Sequence, residues 1–196
     1  MKKSIILTTL FAFIVSLSFA QTDWELKKEK NGIKVYTKTK AGQTLKASKA
    51  EMTVDASVDD ILGVLNDIPN YVNWTPKTES AKLLKQVSST EYYYYTVIKA
   101  PMVSNRDLVA HVKIYESGGS TIVDMTGDPD YIDEDEDLVR MPSYKGVYTL
   151  TAQGNGKTKI VLEYSADPGG NLPDWMVNTA AVDVPYDMFM DLEEQF

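Results

Sequence analysis

The chain contains no cysteine and a single histidine, His111, among its 196 residues. The absence of cysteine excludes disulfide bonds and excludes zinc or iron–sulfur sites that are built on thiolates. A Ser–His–Asp hydrolase would have to use His111, and the Gly-x-Ser-x-Gly turn of many hydrolases is missing. We therefore expect a protein that is not an enzyme and that holds neither a metal nor a cofactor.

Basic residues are also scarce, since the chain has 20 Lys and Arg but 28 Asp and Glu. Two of them, Lys2 and Lys3, precede the first apolar run, so that 18 basic residues remain beyond it against all 28 acidic ones. Such a surface repels nucleic-acid phosphates and anionic lipid headgroups. We expect no nucleic-acid partner, and any transient membrane contact should depend on apolar side chains.

The one long apolar run lies at the N-terminus. Ile5 to Phe19 is apolar apart from Thr and Ser, and Ser18-Phe19-Ala20 supplies small residues where signal peptidase reads them. This pattern predicts a signal peptide over residues 1–20 and one domain over residues 21–196. An uncleaved N-terminal anchor is the alternative. Export predicts a periplasmic or secreted protein.

The first part of the predicted domain combines helical and strand patterns. Residues 23–28 are compatible with a short helix, whereas residues 33–38 alternate with period two after an Asn31-Gly32 turn signal. Residues 45–54 are predicted to form the strand that pairs with residues 33–38. Ser57 and Asp60 then form a capping-box pattern ahead of a helical apolar stripe.

The remainder of the chain is typical of strands followed by one long helix. Short turn signals between the strands predict antiparallel hairpins. From about Leu172 to the end, apolar residues recur every four positions and predict an amphipathic helix. We expect an α+β fold in which this helix covers the concave face of a curved antiparallel sheet. The predicted strands are residues 81–88, 90–99, 106–115, 120–126, 138–141, 145–152 and 158–166.

Six short motifs lie in order along residues 23–196. They are Asp23-Trp24-Glu25-Leu26 with Gly32-Ile33-Lys34-Val35-Tyr36, Tyr71 to Trp74, Asn105-Arg106-Asp107-Leu108-Val109, Val139-Arg140, Leu172-Pro173-Asp174-Trp175-Met176-Val177-Asn178, and Val184-Pro185. Together they resemble the START lipid-transfer domains of the helix-grip superfamily. The resemblance implies a long curved sheet that grips the C-terminal helix and encloses a tunnel for one hydrophobic ligand. It implies non-covalent binding or transfer of a lipid, sterol or isoprenoid, without catalysis.

Four consecutive tyrosines, Tyr92 to Tyr95, occupy one predicted strand. Alternate residues of a strand face opposite sides. The family resemblance implies that Tyr93 and Tyr95 face the tunnel, where their hydroxyls would reach a headgroup or a sterol hydroxyl. Simple cross-strand aromatic packing is the alternative.

The next strand begins at Arg106, which has the same parity as Leu108. We predict that both line the tunnel, that Arg106 binds a phosphate or carboxylate headgroup, and that Asp107 on the opposite face meets solvent. Arg140 is a second candidate of the same kind. For either arginine, a structural ion pair is the alternative. On the terminal helix, we predict that Met176 and Ala180 contact the ligand.

Two loops are expected to border the tunnel mouth, residues 100–104 and residues 127–137. Met102 and Val103 would be apolar tips for gating or for contact with a membrane or a partner. Residues 128–137 are densely acidic, and oxygen ligands suit calcium, but the spacing is not that of an EF-hand. A solvated loop is the simpler interpretation, and the calcium question stays open.

The sequence thus predicts a monomeric carrier of a lipid or another hydrophobic small molecule. Two alternatives belong to other functional classes. One is a cofactor-free helix-grip enzyme, such as an aromatic or polyketide cyclase, which would have a tunnel that is short and fitted to rings. The other is an interaction module without a ligand, in which the protein's own side chains would fill the tunnel.

Overall fold

The computed structural model describes residues 24–39, 45–100 and 102–196, and in this part of the chain ten strands form a single sheet. The predicted signal peptide and the predicted domain start at residue 21 lie outside the described residues. The strands are β1 (Glu25–Lys30), β2 (Ile33–Thr39), β3 (Lys46–Val54), β4 (Thr78–Ser88), β5 (Glu91–Ile98), β6 (Arg106–Ser117), β7 (Ser120–Gly127), β8 (Val139–Arg140), β9 (Ser143–Gly154) and β10 (Lys157–Asp167).

The sheet order is β1-β2-β3-β10-β9-β7-β6-β5-β4, and neighbouring strands in this order are antiparallel. The two-residue strand β8 lies off this path and pairs with the start of β6 in parallel. The edges are therefore β1 and β4. The antiparallel register shifts once within β1 and three times along β4.

Three helices lie between and after these strands: α1 (Val58–Asn66), α2 (Tyr71–Trp74) and α3 (Asp174–Glu193). A short 3₁₀ turn, Ile68–Asn70, joins α1 to α2. The predicted capping box is confirmed, because Asp60 N donates to Ser57 Oγ at 3.2 Å and Ser57 N donates to Asp60 Oδ2 at 3.0 Å. None of the helices within the described residues is long and apolar enough to cross a membrane.

The predicted α+β architecture is confirmed, but the predicted helix at residues 23–28 is wrong. Glu25–Lys30 is instead the edge strand β1, which pairs with β2. Asn31 and Gly32 both have positive φ, 52° and 74°, as a tight two-residue hairpin turn requires. The turn aligns the two segments, and inter-strand hydrogen bonds then outweigh the weak local helix preference.

The core occupies one end of the concave face. The second half of α3 supplies Phe189 and Leu192, both with 0% exposure, and α1 supplies Ile61 and Leu65. These side chains pack against inward residues of the central strands, such as Leu150. The first half of α3 is less buried and covers the other end of the same face, where it borders a cavity.

A proline interrupts the hydrogen bonds of α3 near its middle. Pro185 has no backbone N–H, so the carbonyl of Ala181 lacks its helical donor. The hydroxyl of Ser48, a residue fully buried on β3, donates to this carbonyl instead. The helix is thereby attached to the sheet at the place where its own bonding is incomplete.

Replacing Ser48 with alanine should lower the free energy of unfolding by about 1–3 kcal/mol, because a buried carbonyl loses the donor that replaces the missing amide. In a Pro185→Ala background the helix can supply its own amide donor, so the same change should cost about 1 kcal/mol or less. Urea unfolding of the four proteins measures this coupling. Equal costs in both backgrounds would show that the hydroxyl does not replace the missing amide.

Candidate functional site

A cavity of about 270 Å³ lies between the concave face of the sheet and the first half of α3. Apolar helix residues, among them Met176, Ala180 and Val184, border it on one side. The ends of β5 and β10 and the start of β6 border it on the other. The curvature of the sheet therefore leaves a space that the first half of α3 covers but does not fill.

Strand register decides which tyrosines point inward. Leu108 and Ala110 of β6 are buried on the concave side, and Ala110 lies opposite Tyr94 across the β5–β6 pair. Directly opposed residues of an antiparallel pair share a face. Tyr94 is 4% exposed and lines the cavity, whereas Tyr92, 3% exposed, reaches the core and donates to Asn66 Oδ1 at 2.9 Å.

The predicted inward orientation of Tyr93 and Tyr95 is wrong, because both lie on the outer face of the sheet. Tyr93 stacks against His111 and against Tyr131, with ring centroids 4.2 Å apart in each pair. Tyr95 lies under the ammonium of Lys82, 4.9 Å from its ring centroid. The aromatic packing that was the alternative is what the structure shows for Tyr93, whereas Tyr95 makes a cation–π contact.

The single histidine of the chain also lies on this outer face. His111 is within 2.7 Å of Glu91 Oε1, and this hydrogen bond holds the pKa of the Glu91 carboxyl below its usual value. The cavity lies on the opposite side of the sheet. The chain's histidine is therefore separated from any ligand in the cavity by the sheet itself.

Several tyrosine rings give the cavity polar tips on apolar walls. The Tyr94 and Tyr144 hydroxyls both lie 4.0 Å from Met125 Sδ, and Tyr164 packs edge-on against Tyr144 with centroids 5.8 Å apart. Burial raises the pKa of Tyr164 to about 12 and raises the pKa values of Tyr94 and Tyr144 as well. These hydroxyls therefore stay protonated near neutral pH, and those of Tyr94 and Tyr144 make long hydrogen bonds to the Met125 thioether.

Glycine at position 146 makes room for one of these rings. A Cβ at Gly146 would lie 2.8 Å from the Tyr144 hydroxyl and 2.7 Å from Met125 Cε. Because these distances are shorter than van der Waals contact, a larger residue would displace the Tyr144 ring or the Met125 thioether. Gly146 thus sets the position of a cavity-lining tyrosine.

Arg106 and Leu108 lie on the cavity wall, as the strand parity predicts. Arg106 is 5% exposed, and its guanidinium donates to the carbonyl of Ser104, to that of Pro168 at 3.4 Å and to that of Gly169 at 3.5 Å. Burial lowers its pKa. It forms no ion pair with any residue that the structure describes.

Arg140 does not reach the cavity, so its predicted place among the ligand-binding residues is wrong. Strand β8 places it beside Asp107 on the outer side of β6. Arg140 Nε and Nη2 donate to the two Asp107 carboxylate oxygens at 3.1 and 3.0 Å, in a pair whose side chains are 4% and 1% exposed. Asp107 is therefore buried in an ion pair, and its predicted exposure to solvent is wrong.

Arg140 also binds the backbone of the acidic loop, residues 128–137. Its remaining N–H groups donate to the backbone carbonyls of Pro129, of Ile132 at 3.2 Å and of Asp133 at 3.2 Å. The loop therefore turns its backbone carbonyls inward. No group of three or more His, Cys, Asp or Glu side chains within the described residues has the arrangement of a metal site.

The residues that were expected at the mouth of the cavity are exposed to solvent. Met102 is 93% exposed and Val103 is 42% exposed, and Val103 contributes to the cavity wall. Trp175, in the first turn of α3, is 67% exposed. Met176 and Ala180 line the cavity as predicted, although their contact with a ligand stays a prediction.

The sequence interpretation missed several cavity residues, notably Tyr94, Tyr144, Tyr164 and Lys46. Parity carried from Leu108 across the β5–β6 hairpin would have identified Tyr94. Lys46 has the same parity as the buried Ser48 and Ala50 on β3, but a lysine at a strand start gives no signal of an inward orientation. Tyr164 looked like an ordinary strand residue, and Tyr144 lay outside the predicted strands.

Comparison with known proteins agrees with this architecture. The START domain family model matches residues 8–186. An uncharacterized protein of Pseudomonas aeruginosa is 30% identical over 164 residues, which are 83% of this chain and 81% of the relative. The phosphatidylcholine transfer protein of Bos taurus is 27% identical over 174 residues, covering 81% of this chain and 76% of that protein.

A solved structure shares the fold in detail. The crystal structure of a STAR-related lipid transfer protein from Xanthomonas axonopodis matches with a TM-score of 0.83 and 32% identity, over 88% of this chain and 98% of the crystallised chain. The fold of this chain therefore has a direct counterpart among solved structures. The chain belongs to the START domain family.

Proposed function

We propose that this protein is a non-catalytic carrier that binds one hydrophobic ligand, a lipid, sterol or isoprenoid, in the cavity beneath α3. The observation that supports this most directly is the cavity itself, which is mostly apolar and carries a few hydroxyls and one buried guanidinium. Such a combination binds an apolar body and orients a polar end. The lipid-transfer names of the relatives point the same way.

Binding would be driven by removal of apolar surface from water, at roughly 25 cal/mol per Å² buried. Entry would require the first half of α3 to move away from the sheet. That half is attached to β3 by a hydrogen bond from Lys46 N to Asn178 Oδ1 at 3.3 Å and, near the middle of the helix, by the bond from the Ser48 hydroxyl to the Ala181 carbonyl. The second half is anchored by fully buried Phe189 and Leu192. The first half is thus the part of the helix that can open while the core stays intact.

Native mass spectrometry of protein purified from its host's envelope fraction tests this function. We expect one lipid-sized ligand per chain, which denaturation releases and lipid analysis identifies. The N-terminus of the same sample tests the export that residues 1–20 predict, since processing should leave Gln21 first. An empty protein that also takes up no fluorescent lipid or sterol would contradict the carrier and leave a cyclase or an interaction module.

We propose that the exposed mouth residues make the transient membrane contact during loading. Met102 and Trp175 are the apolar side chains best placed for this, since each is mostly exposed and each adjoins cavity-lining residues. Burying one such side chain in a bilayer contributes about 1.5–3 kcal/mol. The acidic overall charge gives no comparable attraction to anionic lipids.

The variant Met102→Asp/Trp175→Asp should slow ligand transfer between vesicles by about tenfold or more, because it removes this apolar contact. The ligand occupancy of the purified protein should stay the same. Val87→Asp/Tyr115→Asp is the matched control, because it adds the same two charges at side chains that are 48% and 47% exposed. They lie near the ends of β4 and β6, far from the cavity-lining Thr78 and Arg106 at the strand starts. If both variants slowed transfer equally, surface charge rather than the mouth would be responsible.

A further inference from the structure

The charges around the cavity oppose those of the chain. Although acidic residues outnumber basic ones 28 to 20, the cavity-lining side chains include four basic residues, Lys46, Lys77, Lys99 and Arg106, and none that is acidic. We propose that the ligand carries an anionic end group, a carboxylate or a phosphate, and that Arg106 binds this group. This inference rests on the proposed carrier function and names the chemical class of its ligand.

Arg106 has the surroundings of a cation that has no counter-ion among the described residues. Buried charges are usually paired, because desolvation of a lone charge is costly. The guanidinium here is 5% exposed, and its hydrogen bonds go to three backbone carbonyls, which solvate a positive charge without neutralising it. An anionic headgroup in the cavity would supply the missing charge.

Arg140, the other arginine of this chain, shows what a neutralised guanidinium looks like in the same fold. It meets both oxygens of Asp107, and its remaining N–H groups meet carbonyls of the acidic loop. Arg106 has a single carbonyl on each of its three nitrogens. One N–H on Nη1 and one on Nη2 therefore have no partner among the described residues and are available to a phosphate or carboxylate.

Three lysines extend the positive region toward the opening. Lys46 has the inward parity of Ser48 on β3, and Lys77 and Lys99 are adjacent because Lys99 N donates to Lys77 O at 2.8 Å. None of the three forms an ion pair within the described part of the chain. Cations placed along an opening raise the local concentration of an anion and speed its entry.

The rest of the wall explains why the ligand is an amphiphile and not a free anion. Leu108, Met141 and Val184 continue the surface with apolar atoms. The volume of about 270 Å³ lies near the lower end of the roughly 300–1,000 Å³ that is usual for ligand pockets. A single apolar chain with an anionic end fits both observations.

A matched ligand series tests this on the unmodified protein. Oleate, oleoyl lysophosphatidate and monoolein share one chain and differ in the headgroup, which is anionic in the first two and neutral in the third. We expect each anionic ligand to bind about tenfold or more tightly than monoolein, as hydrogen bonds to a charged group predict. Displacement of a fluorescent lipid, measured below the micellar concentration of each ligand, gives the affinities.

The variant Arg106→Gln keeps a hydrogen-bonding side chain but removes the charge. It should bring the affinities for oleate and monoolein to within a few-fold of each other, mainly by weakening the binding of oleate. Lys85→Gln is the matched control, because Lys85 lies opposite Tyr93 on the outer face and its loss changes net charge equally. That control should keep the full preference. Thermal unfolding checks that both variants fold.

The outcomes separate this inference from the function on which it rests. Equal binding of oleate and monoolein to the unmodified protein would overturn the anionic headgroup but leave the carrier intact. Failure of every amphiphile to bind would overturn the carrier itself. Stabilisation by inorganic phosphate, lost in Arg106→Gln and unaccompanied by any amphiphile binding, would assign the site to a free anion and also overturn the inference.

Discussion

Replacing Arg140 with methionine will lower the free energy of unfolding by about 3–5 kcal/mol, as expected when one partner of a buried ion pair is removed. The Asp107 carboxyl group, 1% exposed, would be left in a dry environment without the guanidinium that pairs with it. The carbonyls of Pro129, Ile132 and Asp133 would lose their donors at the same time. Urea unfolding followed by circular dichroism measures the loss.

A double variant distinguishes the two sources of this cost. Asp107→Leu/Arg140→Met removes both charges and should recover a large part of the loss, because no unpaired carboxylate remains. The loop carbonyls stay without donors in the double variant, so residues 128–137 should be cut faster by protease than in the unmodified protein. A loss below about 1 kcal/mol for Arg140→Met would mean that the pair behaves like an exposed one.

Ala180→Trp should reduce ligand affinity by about tenfold or more while the protein stays folded. Ala180 borders the cavity from α3, so a tryptophan there would occupy space that the ligand needs. Displacing only two methylene groups of a ligand, at about 0.8 kcal/mol each, accounts for a change of about that size. Ligand occupancy by native mass spectrometry and melting temperature are the two measurements.

Thr179→Trp is the control for this variant, since Thr179 is exposed and adjacent in sequence. It adds the same side chain to the same helix but places it in solvent, and occupancy should not change. If Ala180→Trp and the unmodified protein carried equal amounts of ligand, the cavity beneath α3 would not be the binding site. Loss of ligand in both variants would point to a general effect on the helix.

Local patterns predicted the elements well because each signal acts over a few residues. The capping box at Ser57, the strand parity at Leu108 and the apolar stripe of α3 all depend on neighbours in sequence, and the structure agrees with each. The error at Glu25–Lys30 has the opposite origin. Its strand conformation depends on pairing with β2, which weak local propensity does not determine.

The errors at the site come from pairing between strands, which the pattern within a single strand does not determine. The orientation of Tyr93 follows from the register of β5 against β6, and an aromatic run has no polar alternation to reveal it. Arg106 and Arg140 looked equivalent as candidates for a headgroup. The two-residue strand β8 separates them, because its parallel pairing with β6 directs Arg140 to Asp107, and no local pattern predicts that contact.

The sheet does not close on itself, and this has a consequence for solubility. An open edge can recruit a strand from another molecule and so seed aggregation. Both edges here have irregular register, and their strands carry lysines: Lys27, Lys28 and Lys30 on β1, and Lys82 and Lys85 on β4. Irregular register and positive charge disfavour edge-to-edge pairing. We therefore expect the protein to remain monomeric at the concentrations that a carrier needs. Each molecule would then carry its ligand independently of the others.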